Sequence, residues 1–379
     1  MESNYEITLY QPSVKHQVVE LLTKYLWSAD STVNTSYLEW KYERNPYHQT
    51  PLIYLAICKG NVVGMRGMFG VKWEFGNPPK MLPGLYADDF VIAPEHRNRG
   101  LVTKIMRHAM MDVSSRGFTY AFNLSAGPVT RMASLAMDWR SAGSMRVHCR
   151  QSDRFRHVRG NLKKKGLFRW LGKHVSYRPW IPKNIGLDNI VDSQKRIPRK
   201  TDSHIVVERD PRPEEMEKLI SGMEYDGRIR HVRDRHYLSW RFQNPHNRYL
   251  FLYWEGTELE GYMVLQEHIS RQARPGINIV DWEAASPSVR AGLLQKAIAL
   301  CSFTDLHVWT ATLPDATIKI LYESGFRLME ETAGVSQKDR CLLVRPVRDS
   351  LLNTEWLLEG YRLLDMANWD IRMIYSMEG

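Results

Sequence analysis

The chain has 379 residues, enough for two domains of ordinary size, and its apolar fraction of 43% excludes an intrinsically disordered protein. Its apolar runs are too short to span a bilayer, and the N-terminus lacks the basic and apolar regions of a signal peptide. The four cysteines have neither metal-ligand spacing nor a disulfide pattern, so we expect reduced thiols, no bound metal and a cytoplasmic protein.

The net charge of +10 is concentrated between the two halves of the chain, since residues 146–200 contain 16 Lys or Arg and only 3 Asp. Three interpretations are open for the basic segment at 151–200. It is a solvated linker, a lip that attracts an anionic small molecule, or, through 154–173, a weak contact with an anionic membrane. No nucleic-acid recognition module accompanies the charge, so we expect no nucleic-acid partner.

The first predicted elements follow the signature Tyr-Leu-Glu-Trp-Lys-Tyr, which begins at Tyr37. Apolar strands are predicted after it at 52–58 and 62–69, joined by a glycine-containing turn. Because Tyr37 and Trp40 have helical spacing, we interpret the signature as a helix that packs into a core.

A strand, a turn and a basic loop follow at residues 89–104. Apolar residues 90–92 suit a strand, and helical spacing of apolar residues begins after Gly100. The loop therefore offers backbone N–H groups at a helix N-terminus beside Arg97 and Arg99, which is what a pyrophosphate group needs. It has too few glycines for a Walker A or a Rossmann loop.

The loop Arg97-Asn98-Arg99-Gly100-Leu101-Val102 resembles motif A of the GNAT acyltransferases, Arg/Gln-x-x-Gly-x-Gly/Ala. The resemblance implies a coenzyme A thioester, acetyl-CoA or another acyl-CoA, whose pantetheine arm pairs with the backbone of Val91 and Ile92. It also implies that the pyrophosphate binds at Arg97, Asn98, Arg99, Gly100, Leu101, Val102 and Thr103. Val102 stands where the family has a smaller residue.

The next elements also match the GNAT pattern. A strand at 120–123 ends in Asn123, and a helix is predicted over 129–139, ending near Gly143. Asn123 fits either a hydrogen bond to the pantetheine or a simple turn, and Ser125 is a second polar candidate.

Acyl transfer to an amine requires a proton to leave the amine and another to reach the thiolate. We favour Asp89 as the base or amine anchor, with Asp88 as the alternate, because adjacent strand residues face opposite sides. Both also fit polar residues at a strand edge. The tyrosine that often protonates the thiolate in GNAT enzymes is missing, because aligning the helix ends on glycines places Arg140 where the second half has Tyr322. Tyr86 and His96 remain open alternatives.

The signature returns as Tyr-Leu-Ser-Trp-Arg-Phe at Tyr237, and the following elements repeat in the same order. The repeat predicts an α+β protein of two tandem GNAT-like units with mixed sheets and flanking helices, at 1–150 and 201–347. The second unit keeps only one loop arginine, so its phosphate site is expected to be weak or absent. The tail at 348–379 is expected to dock on these domains and to bring Asp365 or Asp370 near the cleft.

The resemblance to GNAT enzymes implies an N-acyltransferase, most simply an N-acetyltransferase, that acts on a primary amine of a small molecule. The Trp-Lys-Tyr-x-x-Asn-Pro signature and the Asn-Trp-Asp of the tail resemble GNAT-type proteins of bacterial surface-polysaccharide pathways, which implies an amino-sugar acceptor. Two alternatives stay open: a non-catalytic coenzyme A-binding protein and a long-chain N-acyltransferase at a membrane surface. The acyl length and the oligomeric state are also left open.

Overall fold

A computed structural model describes residues 5–27, 29–152, 204–268, 276–300, 305–329 and 340–377. The interpretations of the basic segment 151–200, including the membrane contact through 154–173, fall outside these residues beyond position 152. In the described ranges, no helix is both long and apolar enough to cross a membrane.

Both halves of the chain contain strands and helices. The strands are β1 (Tyr5–Leu9), β2 (Leu52–Cys58), β3 (Asn61–Phe75), β4 (Lys80–Ile92), β5 (Tyr120–Asn123), β6 (Arg140–Ser144), β7 (Val147–Gln151), β8 (Ile205–Glu208), β9 (Arg230–His231), β10 (Asn247–Glu255), β11 (Leu259–His268), β12 (Ile277–Ala284), β13 (Asp305–Trp309), β14 (Arg327–Leu328), β15 (Cys341–Pro346), β16 (Leu357–Leu358) and β17 (Tyr361–Arg362). The helices are α1 (Lys15–Tyr25), α2 (Ser31–Leu38), α3 (Leu101–Ser115), α4 (Pro128–Leu135), α5 (Pro213–Gly222), α6 (Arg235–Arg241), α7 (Pro287–Leu300) and α8 (Asp315–Glu323). A π-helical turn at Glu39–Glu43 continues α2.

Two mixed sheets organise these strands. The first has the order β1-β2-β3-β4-β5-β15-β6, with β9 added beside β3, and the second has the order β14-β7-β13-β12-β11-β10-β8. Within them, β4 runs parallel to β5 and β12 runs parallel to β13, whereas the other paired strands are antiparallel. The predicted α+β class with two mixed sheets is therefore confirmed.

Each sheet takes strands from the other half of the chain, and besides the short β9 one strand in each sheet lies between two others. β15 comes from the C-terminal half and lies between β5 and β6 of the first sheet, where Leu343 pairs with Asn123. β7 comes from the N-terminal half and lies between β13 and β14 of the second sheet. Only Met145 and Arg146 separate β6 from β7, so the chain passes from one sheet to the other within a few residues. The exchange makes each sheet dependent on both halves.

The core consists of three clusters of apolar side chains. One lies between the first sheet and α3, and another lies between the second sheet and α7 with α8. The third fills the space between the facing sides of the two sheets and includes α1, α2, α6 and the tail. Trp40 and Trp240 are buried in this third cluster, so the prediction that the signature tryptophans pack a core is confirmed.

The end of α4 differs from the prediction. The helix stops at Leu135, and Gly143, taken from the sequence as its end, lies in β6. Asp138 has a left-handed backbone with φ 65°, the same conformation that Gly325 adopts after α8 with φ 83°. Asp tolerates this conformation, which ends a helix as glycine does. Aligning the two left-handed residues makes Leu135, rather than Arg140, the counterpart of Tyr322.

Candidate active site

The basic loop lies at the exposed end of β4. A 3-10 turn at Pro94–His96 follows the strand, and α3 begins at Leu101 with Gly100 as its N-cap. Asn98 and Gly100 are both left-handed, with φ 60° and 70°. No side chain caps the helix, and a Cβ added at Gly100 would meet no atom within 4 Å. The first-turn N–H groups of α3, which have no intrahelical acceptor, therefore face open space.

Two arginines flank this helix N-terminus. Arg97 donates from Nε to the carbonyl of Ile92 at 3.1 Å, and Arg99 donates from Nη2 to the carbonyl of Glu95 at 3.2 Å. These bonds keep both guanidinium groups beside the loop. The N–H groups, the helix dipole and the two positive charges together form a site for an anion such as a pyrophosphate. The residues expected from 97 to 103 thus surround one helix N-terminus.

A cleft opens between β4 and β5. The two strands pair only at Tyr86 with Phe122 and then separate. β4 also has a bulge against β3, where Asp89 is the extra residue and has φ 45°. Beyond the bulge, the strand carries Val91 and Ile92 along the side of the cleft towards the basic loop. Both residues expected to pair with a pantetheine arm therefore line the route from the loop to the bulge.

Lys41 binds both aspartates at the bulge. Its Nζ lies 2.8 Å from Oδ2 of Asp88 and 2.6 Å from Oδ2 of Asp89, and its side chain is 1% exposed. Asp89 also accepts hydrogen bonds from Tyr42 Oη at 2.6 Å and Trp27 Nε1 at 2.9 Å. These contacts hold the left-handed residue of the bulge in place. Sequence reasoning missed Lys41, although the repeated signature contains it.

The ion pairs keep Lys41 and Asp88 charged. Burial alone would lower the pKa of Lys41, but the carboxylates of Asp88 and Asp89 outweigh it and raise the pKa well above its usual value. Burial likewise acts to raise the pKa of Asp88, yet the Lys41 ammonium and the hydrogen bonds from Ser125 and the Asp89 N–H hold it below its usual value. A carboxylate in this state is a weak base and a good anchor for a cation.

A narrow cavity adjoins Asp88 on the inner side of the first sheet. Its volume of about 10 Å³ admits one water-sized group. Tyr86, Asp88 and Ser125 line one side, and Tyr375 and Ser376 of the tail line the other. Asp89 does not line it. The bulge breaks the alternation on which the preference for Asp89 was based, and which of the two aspartates acts on the amine stays a prediction.

Unpartnered hydroxyl groups surround this cavity. Among the described residues, Tyr86 Oη, Tyr375 Oη and Ser376 Oγ are buried and have no hydrogen-bond partner. Burial raises the pKa of both tyrosines, so they remain protonated at neutral pH. A buried hydroxyl without a partner is costly, and a bound polar group would supply the missing bonds. Of the two alternatives considered for a proton donor, Tyr86 lies at the cavity, whereas His96 binds Tyr5 Oη at 3.0 Å.

The second copy of the signature holds the tail at this cavity. Arg241, the counterpart of Lys41, donates from Nε to the carbonyl of Ile374 at 2.7 Å and from Nη2 to that of Ser376 at 2.9 Å. Tyr375 lies between these two anchored residues. Lys41 fixes one side of the cavity and Arg241 fixes the other, so both copies of the signature position the same site.

The side chain of Asn123 forms hydrogen bonds within the protein. Its Nδ2 donates to the carbonyl of Ala87 at 2.6 Å, which ties β5 to β4 just before they separate. Its Oδ1 accepts from the N–H groups of Ser125 at 2.9 Å and Ala126 at 2.8 Å. Of the two sequence interpretations, the structure has the turn. Ser125 contacts Oδ1 of Asp88 through its hydroxyl and thus belongs to the cavity.

The corresponding cleft of the second sheet is filled. Arg233 binds Asp281 and Glu283 of β12, each at 2.7 Å. Arg290, the remaining loop arginine, turns inward and donates to the carbonyl of Trp282 at 3.1 Å. Arg372 of the tail binds Glu283 at 3.1 Å.

The tail closes this second cleft from the other strand as well. Ile371 exchanges hydrogen bonds with the Thr312 hydroxyl after β13, with distances of 2.9 and 3.0 Å. Asp370 binds Arg372 at 2.7 Å and so reaches this cleft, whereas Asp365 is exposed and caps a 3-10 turn by accepting from the Ala367 N–H. Neither aspartate lines the cavity beside Asp88.

Comparisons with known proteins agree with this geometry. Residues 6–131, which contain the loop, the cleft and the bulge, match the family model for the acetyltransferase (GNAT) domain. No curated protein sequence matches the chain.

Solved structures share the fold over most of the chain. Eis1 from Mycobacterium abscessus has 13% identity and a TM-score of 0.52, with 91% of this chain and 74% of that chain covered. GCN5-related N-acetyltransferases from Anabaena variabilis and Kribbella flavida have 14% and 10% identity and TM-scores of 0.55 and 0.56. They cover 91% and 92% of this chain and 73% of each of theirs. The fold is thus of the GNAT type, with a GNAT acetyltransferase domain matched at the N-terminal end.

Proposed function

We propose that the chain is an acyl-CoA-dependent N-acyltransferase with a single donor site, on residues 91–103. One observation carries the proposal: the uncapped N-terminus of α3 stands at the open end of the cleft between β4 and β5. The loop would hold the pyrophosphate, and Val91 and Ile92 would hold the pantetheine arm. The donor supplies the acyl group and a thiolate leaving group. The filled cleft of the second sheet supports a structural role for that unit.

The ammonium group of the acceptor, which is about the size of a water molecule, would occupy the cavity beside Asp88. As a charged carboxylate at the cavity wall, Asp88 can bind an ammonium group and orient it towards the bulge of β4. Because its pKa is low, we assign Asp88 the role of an anchor, and proton removal from the amine falls to solvent. Asp89 positions the bulge through its bonds to Lys41, Tyr42 and Trp27.

Tyr375 is our first choice for the group that protonates the departing thiolate, and Tyr86 is the alternate. Both hydroxyls are buried at the cavity without a partner, and their raised pKa values keep them protonated. Tyr375 projects from the wall opposite β4, and the helix that carries a tyrosine in many GNAT enzymes has Leu135 at the corresponding position. The tail would thus replace the missing tyrosine.

The acceptor is proposed to be a primary amine of a small molecule. An amino sugar of surface-polysaccharide biosynthesis remains a proposal based on the signature and the tail sequence, as does a cytoplasmic location.

Calorimetry with acetyl-CoA, followed by a thiol-release assay over a panel of small amines, tests the function. We expect binding and thiol release, and we expect Arg97→Ala to weaken binding. Arg107→Ala is the matched control, because Arg107 is exposed on the same helix beyond its first turn. Binding without thiol release from any amine would favour the non-catalytic alternative. Absence of binding would refute the donor site.

A further inference from the structure

Two buried hydrogen-bond donors have no acceptor on the α3 side of the first sheet. Arg66 on β3 is 3% exposed, and Trp139 after α4 is 2% exposed. Across the residues that the structure describes, Arg66 Nε and Trp139 Nε1 have no hydrogen-bond partner. No described carboxylate lies within ion-pair distance of the Arg66 guanidinium. Both groups can only donate, so the missing partner is an acceptor.

The Arg66 guanidinium lies close to two aromatic rings. Its central carbon is 5.4 Å from the ring centre of Phe90 and 6.0 Å from that of Trp139. Phe90 belongs to β4 and Trp139 lies between α4 and β6, so the guanidinium connects two separate parts of the first unit. Arg66 also pairs with Phe90 in the sheet, directly beside the Asp89 bulge.

This position corresponds to the acyl end of the proposed donor site. A donor held by its pyrophosphate at the loop would extend along Ile92 and Val91 towards the bulge. Its thioester would therefore arrive beside Phe90, and its acyl chain would continue towards Arg66 and Trp139.

Within the described part of the chain, the Arg66 guanidinium has no directly bound acceptor, although its charge is balanced nearby. Lys41 and Arg66 carry two positive charges, and Asp88 and Asp89 carry two negative charges, so the group is neutral overall. Lys41, however, takes both carboxylates as direct partners. Stacking on Phe90 and Trp139 offsets part of the free-energy cost of burying the Arg66 charge. The N–H groups of Arg66 still need oxygen atoms as hydrogen-bond acceptors.

We propose that Arg66 and Trp139 bind an oxygen atom on the acyl chain of the donor. The preferred thioester would then carry a hydroxyl or carboxylate group a few bonds beyond its carbonyl, rather than a plain acetyl group. The inference rests on the proposed function, because it takes the donor cleft as given. A carboxylate-ended acyl chain should bind most tightly, because the planar guanidinium can bind both of its oxygens.

Calorimetry with stable thioethers of coenzyme A tests this inference without an acceptor. Three analogues of equal chain length end in a methyl, a hydroxyl or a carboxylate group. We expect the carboxylate to bind most tightly and the methyl least, with about a 10- to 100-fold difference between them. Arg66→Met should remove the preference. Trp139→Phe keeps an aromatic ring and loses the N–H, so it should reduce the preference for the carboxylate-ended analogue. Its thermal unfolding temperature should change little.

Three results would overturn the inference. One is equal or tighter binding of the methyl-ended chain by the wild-type protein. Another is a result in two variants: Arg66→Met loses the same factor in affinity for all three analogues and for coenzyme A itself, and Trp139→Phe keeps the preference for the carboxylate-ended analogue. The third is a failure of coenzyme A itself to bind, which refutes the proposed function as well. Binding of coenzyme A without a chain preference refutes this inference alone.

Discussion

The indole Nε1 of Trp40 donates to the backbone carbonyl of Trp240 at 2.6 Å, and Nε1 of Trp240 donates to the carbonyl of Trp40 at 2.8 Å. The two rings stack with centres 4.8 Å apart and planes inclined by 14°. The two copies of the signature thus meet through an approximately two-fold symmetric contact. It brings Lys41 and Arg241 to opposite sides of one cavity.

The symmetry predicts similar losses of stability from Trp40→Phe and Trp240→Phe. Each change leaves one buried carbonyl without its donor, so we expect each to lower the free energy of unfolding by about 1–3 kcal/mol. Urea denaturation measures this, with Trp254→Phe on β10 as a control outside the contact. A difference of more than about 2 kcal/mol between the two variants would contradict the two-fold description.

Gly100→Ala should weaken coenzyme A binding more than it weakens the fold. A Cβ there meets no protein atom within 4 Å but forces an alanine to adopt φ 70°, at a cost of about 1 kcal/mol, and it would take up part of the open space proposed for the pyrophosphate. Gly117→Ala at the other end of α3 is a matched control, because Gly117 has φ 90° and equally open space. Equal affinities for coenzyme A in the two variants would show that the loop is not the phosphate site.

Lys41→Met should destabilise the protein strongly. It leaves Asp88 and Asp89 buried without their cation, and removing one partner from a buried ion pair typically costs about 3–5 kcal/mol. Lys15 also binds two carboxylates, Glu39 and Glu43, but is 28% exposed, so Lys15→Met should cost about 1 kcal/mol or less. Chemical denaturation measures the free energy of unfolding of both variants. Equal losses would contradict the claim that a buried ion pair costs more to break than an exposed one.

Tyr375→Phe should lower kcat by about 100-fold or more with little change in KM, because it removes the proposed proton donor and leaves the ring in place. Tyr361→Phe, in the tail outside the cavity lining, should leave kcat unchanged. The thiol-release assay measures both. If Tyr375→Phe retains full activity and Tyr86→Phe loses it, the proton donor is Tyr86.

His231 predicts a loss of stability in mild acid. Burial, with a further contribution from Arg233, holds its pKa well below the usual value of 6.5, so the folded protein keeps the imidazole neutral. Between the folded and unfolded pKa values the unfolded chain binds the extra proton. The contribution of His231 to the free energy of unfolding is therefore complete above pH 6.5. It falls below pH 6.5, by up to about 1.4 kcal/mol per pH unit.

His231→Phe should flatten this dependence. The phenyl ring can retain the stack on Tyr375, whose centre lies 4.1 Å from that of the imidazole. Denaturation of both proteins at pH 7 and pH 5.5 tests the assignment. His307, whose pKa burial also lowers, is present in both and cancels in the comparison. If the free energy of unfolding of His231→Phe changes between pH 7 and pH 5.5 as it does in the wild-type protein, His231 is excluded as the source of the pH dependence.

Local features were predictable because their signals lie within short stretches of the chain. The loop at 97–103 combines a glycine, two arginines and the start of an apolar helical pattern, and it forms one helix N-terminus as expected. The repeated signature likewise predicted two buried tryptophans. The helix at α4 was predicted too long, because a left-handed Asp138 ends it without a glycine.

The sequence by itself determined the α+β class, the repeated order of elements and a basic loop at a helix N-terminus, because residue spacing and turn chemistry act over a few residues. Only the tertiary structure decided the exchange of β7 and β15, the place of Tyr375 at the cavity and the position of Asp88, rather than Asp89, at the cavity wall. The exchange and the tail contacts join residues far apart in sequence. The bulge shifts the strand alternation by one residue, and Lys41 holds it from a distant helix.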